Sequence, residues 1–269
     1  MKLSIIIVNY NTGALTKACV ESILAQENMK ETEIIIVDNN SSDESIPFLG
    51  SDFPEVRLIT NDENIGLAGG VNIGLKEATG EYCLILNPDI IVLPNAIKAL
   101  KTFMDENPKV GMSGGKLLSP NGMLQYSCYR FYRLSTILYR RSWFGRTRAG
   151  KREIARFLMK DFDHQSVQDV DWLMGACLMV RAAALKKVGG MDERFFLYFE
   201  DLDWCRRFWE KGYRVTYVPH AQFSHYHQRS SKQSSFLGLI FNQAARHHLL
   251  SAAKYFWKYG FSSNPHHEV

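Results

Sequence analysis

Four short apolar runs, each closing on a cluster of Asn and Asp, restrict this chain to very few folds. Leu3 to Val8 is continuous and rich in β-branched residues, and it ends at Asn9, Tyr10, Asn11, Thr12 and Gly13. Glu33 to Val37 stops at Asp38-Asn39-Asn40-Ser41-Ser42-Asp43, Val56 to Thr60 at Asn61-Asp62-Glu63-Asn64, and Glu81 to Leu86 at Asn87-Pro88-Asp89. Short runs without alternation are the signature of strands buried on both faces. Helical stretches separate them, from about Leu15 to Gln26 and, with Pro94 near its start, up to about Glu106. Strand, polar tip and helix in repetition predict an α/β fold, a doubly wound and mostly parallel central sheet with helices on both faces. In such sheets ligands sit beyond the carboxyl ends of the strands, so the polar tips are the expected site. Any single tip is ordinary turn chemistry. Four together, with neither a P-loop nor a G-x-G-x-x-G fingerprint, ask for more. The small residues of Gly66 to Asn72 do not have dinucleotide spacing, but they let a helix approach a bound nucleotide or the sheet closely.

The second half is less regular. Val110 to Leu118 reads as a strand, whereas the segment 126–162 shows no clean period and is expected to be a mobile excursion over the site. Between Arg130 and Lys160 it carries Glu153 as its one acid among ten Arg and Lys residues, and so should meet something anionic, a membrane surface included. Regular structure resumes with a strand from Ala176 to Val180, a short helix from Arg181 to Lys187, a helix from Asp201 to about Lys211 and a strand from Tyr213 to Val218. Just ahead of that last helix, FFLYFEDLDWCRR sets aromatic residues against Glu200, Asp201 and Asp203 and then supplies Arg206 and Arg207. Burial raises a carboxyl pKa and nearby cations lower it, so this run can tune one acid for proton transfer. The plainer reading is a surface helix, with Asp203 and Arg207 at ion-pair spacing.

His220, His225 and His227 follow the late strand. A lone histidine is more often structural than a ligand, and on a continued strand His225 and His227 share a face. In the tail, Gln243, His247, Ser251, Lys254 and Lys258 lie roughly along one side of a helix, leaving an apolar face with Phe256 and Trp257. Such a helix either packs on its own domain or lies in a membrane interface.

Composition narrows the setting. At 269 residues and 46% hydrophobic content the chain can bury one large core or two joined lobes, and a net charge of +4 does not by itself imply a polyanion partner. Five scattered cysteines without a C-x-x-C pair suggest a reducing compartment rather than a disulfide framework. The opening apolar run is too short for a signal peptide, and no run of eighteen apolar residues occurs.

Taken in order, SIIIVNYNT, IIIVDNNSSDES, DENIGLAGGVNIGLKEATGEYCLILNPD, DWLMGACLMVRAAALKKVGGMDERFFLYFEDLDWCRR and YRVTYVPHAQFSHYHQRSS resemble the inverting glycosyltransferases of family 2, most closely the rhamnosyltransferase-like branch. The resemblance implies a GT-A fold over residues 1–235, with a nucleotide-sugar-binding half (1–118), an acceptor and catalytic-base half (119–235) and a helical tail (236–269). It implies that Asn9 and Asn11 line the nucleotide pocket, that Asp38 hydrogen-bonds the pyrimidine base, and that Asn64, Gly66 and Asn72 border nucleotide and sugar. Asp89 takes the place of the last aspartate of the metal-binding D-x-D motif, and His225 that of the late histidine completing the metal site. Asp201 is the implied catalytic base, with Glu200 orienting it or binding acceptor. Asn87 departs from the pattern, because N-P-D has one negative charge fewer than D-x-D. Oxygen ligands from Asp89 and a donor diphosphate still suit Mg²⁺ or Mn²⁺. The implied donor is dTDP-L-rhamnose, with UDP-sugars as the alternative. The implied acceptor is a saccharide or lipid-linked saccharide, and the expected location is the cytoplasm with peripheral contact to the inner face of the membrane. A nucleotidyltransferase would carry a glycine- and arginine-rich signature near the first strand, where NYNTGALTKAC stands. A non-catalytic sugar binder would not need the Glu200-Asp201 pair, and no nucleic acid is expected despite the aromatic residues of the basic segment.

Overall fold

The computed structural model describes residues 2–27, 29–43, 45–226, 243–260 and 264–267. The first half runs β1 (Leu3–Asn9), α1 (Gly13–Leu24), β2 (Thr32–Asp38), α2 (Ser45–Asp52), β3 (Val56–Thr60), α3 (Gly66–Glu77), β4 (Tyr82–Leu86), β5 (Ile90–Val92), α4 (Ala96–Glu106) and β6 (Val110–Leu118). The second runs β7 (Leu124–Gln125), β8 (Cys128–Tyr129), α5 (Leu134–Arg141), α6 (Arg148–Phe157), β9 (Gln168–Asp169), β10 (Trp172–Leu173), β11 (Cys177–Arg181), α7 (Ala182–Val188), α8 (Glu200–Glu210), β12 (Arg214–His225) and α9 (Gln243–Tyr259).

The main sheet has the order β3-β2-β1-β4-β11-β6-β12-β5. Strands β3, β2, β1 and β4 are parallel neighbours, as are β6 and β12, while β11 runs antiparallel between β4 and β6. A strand of the second half therefore closes the sheet of the first. Alternation along β1 explains the two cores: Ile5 and Ile7 pack with α1, α2 and α4, and Ile6 and Val8 with α3, α7 and α8. Gly74 makes the second approach possible, since a Cβ there would lie 2.4 Å from Ile6 Cγ2.

Three expectations change. The late strand does not stop at Val218 but continues to His225, because a register shift between Val218 and Gln222 accommodates Pro219, which otherwise reads as an end. That extension carries His225 to the edge strand β5, whose residues Ile90 and Ile91 pair with His225 and Ser224. The segment 126–162 is not irregular: it folds as β8, α5 and α6. Helix α6 turns Gly150, Glu153 and Phe157 inward. One inward position is an acid, which receives Arg156 at 2.8 Å and the Thr136 hydroxyl, so apolar periodicity could not show the helix. Finally, the polar side of α9 docks together with an apolar face. Ala245, Ala252 and Tyr255 are buried, and His247, Ser251, Lys254 and Lys258 reach the domain beside them, while Trp257 is 91% exposed and Leu250 57%.

Buried Asp171 ties the remote end of the chain to this frame. It accepts hydrogen bonds from the Phe131 amide (2.7 Å) and Asn264 (3.1 Å), and it pairs with His266 (2.7 Å) and Arg130 (3.3 Å). Burial alone would raise its pKa; the His266 and Phe131 bonds and the Arg130 charge outweigh that and lower it. A carboxyl lowered on folding contributes stability above its unfolded pKa of about 3.9 and loses it as pH falls through the folded value. Asp171→Ala should therefore cost about 3 kcal/mol in urea unfolding at pH 7, with the gap to wild type closing on acidification.

Candidate active site

The carboxyl ends of β1, β2, β3 and β4 form one rim, and the predicted nucleotide residues lie along it. Asn9 and Asp38 are fully buried side by side. Asn9 donates to Asp38 Oδ1 (2.6 Å) and to Ser41 Oγ (3.0 Å), and its own carbonyl accepts from the Thr12 and Thr16 hydroxyls. Asp38 also accepts from the Ser41 amide and hydroxyl. These contacts fix the floor of the rim. Asn11, exposed and with φ of 52°, caps Ser42 through a 2.7 Å bond from the Ser42 amide. Asn64 accepts from the Gly66 amide (2.9 Å) at the start of α3.

Two of the predicted residues join the halves of the molecule. Gly66 has φ of 79°, and a Cβ there would stand 2.4 Å from the Phe196 carbonyl, so only glycine fits that approach. Asn72 donates to the Met191 carbonyl and accepts from its amide, both at 2.8 Å. Its amide is thus engaged with backbone 119 residues away, a scaffolding contact that sequence spacing does not reveal.

The tip Asn87-Pro88-Asp89 and the start of α8 meet at two consecutive residues. The Gly175 amide donates to Asp201 Oδ2 (2.8 Å), and the Ala176 carbonyl accepts from the Asn87 amide (3.0 Å). Asp89 Oδ2 lies 3.4 Å from His225 Nε2, and His225 Nδ1 is 2.9 Å from Gln125 Oε1. With Nδ1–H donating to Gln125, the Nε2 lone pair faces the carboxylate, an arrangement that suits a shared cation and an orienting partner behind a histidine ligand. No group of three or more His, Cys, Asp or Glu residues forms a closed metal cage among the described residues. The pair fits an ion that takes further ligands from elsewhere. His220 is exposed, and His227 lies outside the described residues.

Helix α8 is not a surface helix. Glu200, Asp201 and Asp203 are all buried, and Arg207 meets Asp203 at 2.8 Å as the spacing predicted. Tyr198 and Phe199 precede it with φ of 67° and 72°, a left-handed turn that costs non-glycine residues energy and is held by its surroundings. Glu200 Oε2 has no partner among the described residues. Burial raises the Glu200 pKa well above the ordinary range, and the charge of Asp201 adds to it. Burial raises Asp201 as well, while the Gly175 and Leu202 amides pull the other way. Both carboxyls are thereby pushed toward the neutral form, the direction that brings a carboxyl closer to the range of proton-transfer chemistry. Sequence reasoning missed Gly175, Gln125 and the C-terminal partners of Asp203. Only the Gly175-Ala176 pair between two apolar runs could have hinted at a backbone donor.

This is the fold of the GT-A glycosyltransferases. GalNAc-T7, solved with UDP, GalNAc and Mn²⁺, superposes with a TM-score of 0.64 at 14% identity over 87% of this chain and 46% of that one, so the chain spans about half its length. The mannosyltransferase PcManGT of Pyrobaculum calidifontis, with GDP-Man and Mn²⁺, does so with 0.59 at 15% identity over 99% and 77%. The chain belongs to glycosyl transferase family 2, whose model matches residues 4–189; that of the N-terminal domain of galactosyltransferase matches 161–229. It is 28% identical over 250 residues to the N-acetylglucosaminyl-diphospho-decaprenol L-rhamnosyltransferase of Mycobacterium tuberculosis, covering 85% of this chain and 77% of that one. It is 27% identical over 269 residues to the rhamnosyltransferase WbbL of Escherichia coli K12, covering 97% and 94%.

A carboxyl whose pKa rises on folding lowers stability once pH climbs above its unfolded value. Glu200→Gln removes that cost. The variant should melt a few degrees higher than wild type near pH 7, and the gain should vanish below about pH 4, where the unfolded carboxyl is protonated too. Scanning calorimetry across pH reads both.

Proposed function

We propose that this protein transfers L-rhamnose from dTDP-L-rhamnose to a hydroxyl of a saccharide or lipid-linked saccharide in the synthesis of a bacterial cell-surface polysaccharide. The observation that carries the reading is Asp201, buried at the start of α8 with a raised pKa and aimed by the Gly175 amide beside the Asn87–Asp89 tip. An acceptor hydroxyl is a weak nucleophile until a positioned base takes its proton. Asp201 accepts that proton as the acceptor oxygen bonds to the anomeric carbon and the bond to the nucleoside diphosphate breaks. A single displacement inverts the centre. Glu200, sharing the buried position, orients Asp201 or holds the acceptor. Asn9, Asn11, Asp38, Asn64 and Gly66 frame the nucleotide, and Asn72 holds that frame against the base loop. A divalent ion, Mg²⁺ or Mn²⁺, held by Asp89 and His225 would offset the charge gained by the departing diphosphate. The names of the two rhamnosyltransferase relatives support the donor, and the decaprenol-linked substrate named for one of them supports the acceptor class.

Peripheral contact with an anionic membrane from the cytoplasmic side belongs to the same reading. Leu134, Leu138, Trp143 and Phe144 are exposed on and just after α5, among basic residues, and Leu250 and Trp257 are exposed on α9. A cavity of about 350 Å³ lined by Leu134, Tyr255 and Phe256 lies where these two elements meet. The described residues contain no helix long and apolar enough to cross a membrane. Five buried, unpaired cysteines accord with a reducing compartment.

Release of nucleoside diphosphate from a panel of nucleotide sugars, with a bacterial lipid extract as acceptor, tests the transferase. Turnover of dTDP-rhamnose should fall at least about 100-fold in Asp201→Asn and should be lost in EDTA and restored by Mg²⁺ or Mn²⁺. A UDP-sugar as the one donor consumed would replace the donor assignment, and nucleotide binding without turnover of any donor would favour a binding module. For the membrane contact, Trp257→Glu should reduce cosedimentation with phosphatidylglycerol vesicles without changing the thermal midpoint. Unchanged sedimentation would remove α9 from the contact.

A further inference from the structure

Helix α9 reaches the base loop through the rings of His248 and Tyr255, which meet Tyr198 and Phe199, and through a polar stripe at positions 247, 251, 254 and 258, which fall on one side of a helix. The His247 ring stacks on Phe196 at 4.8 Å between centroids. The Ser251 hydroxyl donates to the Leu197 carbonyl (3.0 Å), and the Lys254 ammonium to the Arg194 carbonyl (2.7 Å). Lys258 ends the stripe: its ammonium lies 2.8 Å from Asp192 Oδ2 and 2.6 Å from Asp203 Oδ1. Those two aspartates bracket the entire loop. Asp192 begins it, and Asp203 sits one turn into α8, two residues beyond Asp201. The Tyr259 hydroxyl adds a 2.7 Å bond to the same Asp203 oxygen.

The loop needs such restraint. It passes through consecutive left-handed residues, Tyr198 and Phe199, immediately before Glu200, and ends on two buried carboxyls that would be better solvated if it opened. Gly66 and Leu67 against Phe196 and Asn72 against Met191 hold it from the nucleotide side, and the Tyr132 ring stacks on Phe199 at 5.2 Å. The C-terminal helix supplies the opposite side.

We propose that Lys258 is a positioning residue for the transfer reaction: by bridging Asp192 and Asp203 it locks the loop that presents Asp201, so that α9 is part of the catalytic apparatus rather than an appendage. The proposal rests on Asp201 being the base. Lys258 touches neither donor nor acceptor in this role. It sets where the carboxyl stands and how dry it is.

Lys258→Met keeps the aliphatic stem and removes the bridge. It should lower kcat at least tenfold while the KM for the donor stays within about twofold, because the strand tips that hold the nucleotide are untouched. The acid limb of the kcat–pH profile should also move to lower pH, since a loosened loop admits water to Asp201 and relieves the burial that raises it. The titratable groups facing Asp201 are Glu200 and Cys205 on its own helix and Tyr129 on β8, so the profile is to be repeated in Glu200→Gln to assign the limb. Lys258→Arg, which can still span two carboxylates, should recover most of the rate and the wild-type limb. If Lys258→Met does not fold, Lys254→Met, which removes one mid-stripe contact from a largely exposed side chain, should show the same changes on a smaller scale. A folded Lys258→Met with wild-type kcat and acid limb overturns the proposal, as does a loss confined to donor KM. An active Asp201→Asn would instead overturn the base assignment itself, whatever Lys258 does, so the two failures are distinguishable.

Discussion

Much in this molecule follows from burying two adjacent carboxyls, Glu200 and Asp201, with no ion-pair partner for either among the described residues. Water would solvate them far better than the interior does, so the fold must hold them in place against a standing drive to open. The start of α8 helps, because unpaired amides at a helix N-terminus favour negative charge, and the Gly175 and Leu202 amides favour the ionised form of Asp201. Glu200 receives only its own amide, and its Oε2 has no partner among the described residues. The result is a pair of unequal acids, Asp201 supported by more backbone donors and Glu200 pushed further toward its neutral form by burial and by the charge of Asp201. Pairs of titratable groups whose surroundings push their pKa values apart are the arrangement on which acid and base roles are divided.

The support converges from three directions. Gly66 and Asn72 brace the loop from the α3 side, Gly175 holds Asp201 from the central sheet, and α9 closes the outer side. Apart from the close approach at Gly66 and the aromatic contacts of α9, these braces are directional hydrogen bonds, whereas the two hydrophobic layers set the general position of the helices. Burial of apolar surface gathers the elements, and hydrogen bonds at a few long-range points decide where Asp201 stands to within a fraction of an ångström.

The parts of this arrangement written in local pattern were legible in the sequence. Strands β1 to β4 are short β-branched runs with polar ends, and both the sheet and the rim follow from them. Asp201, Asp89 and His225 came from an ordered set of motifs, and the structure brings Asp89 to His225 and Asp201 to the same two-residue junction as Asn87. What stayed hidden depends on partners far away in the chain. Glu153 occupies an inward position of α6 and masks its period. Pro219 looks like the end of a strand that a register shift carries six residues further. The polar stripe of α9 reads as a solvent face until Asp192 and Asp203 are seen beneath it. A polar side chain is silent about whether it meets water or a buried counterpart, and only the tertiary fold tells them apart.

The insertion of β11 between β4 and β6 also orders events during synthesis. Strand β4 is complete at Leu86, but the neighbour that covers its free edge is made only at Cys177 to Arg181, and the Asn72 brace waits 119 residues for Met191. At roughly 5–20 residues per second, the stretch from Leu86 to Arg181 takes about 5–19 s, during which an apolar strand edge stands open on the ribosome. An open edge of this kind pairs readily with another chain. Nascent copies crowded on one message are thus exposed to mispairing at β4 before β11 exists, and the yield of folded protein should depend on how slowly that interval is translated.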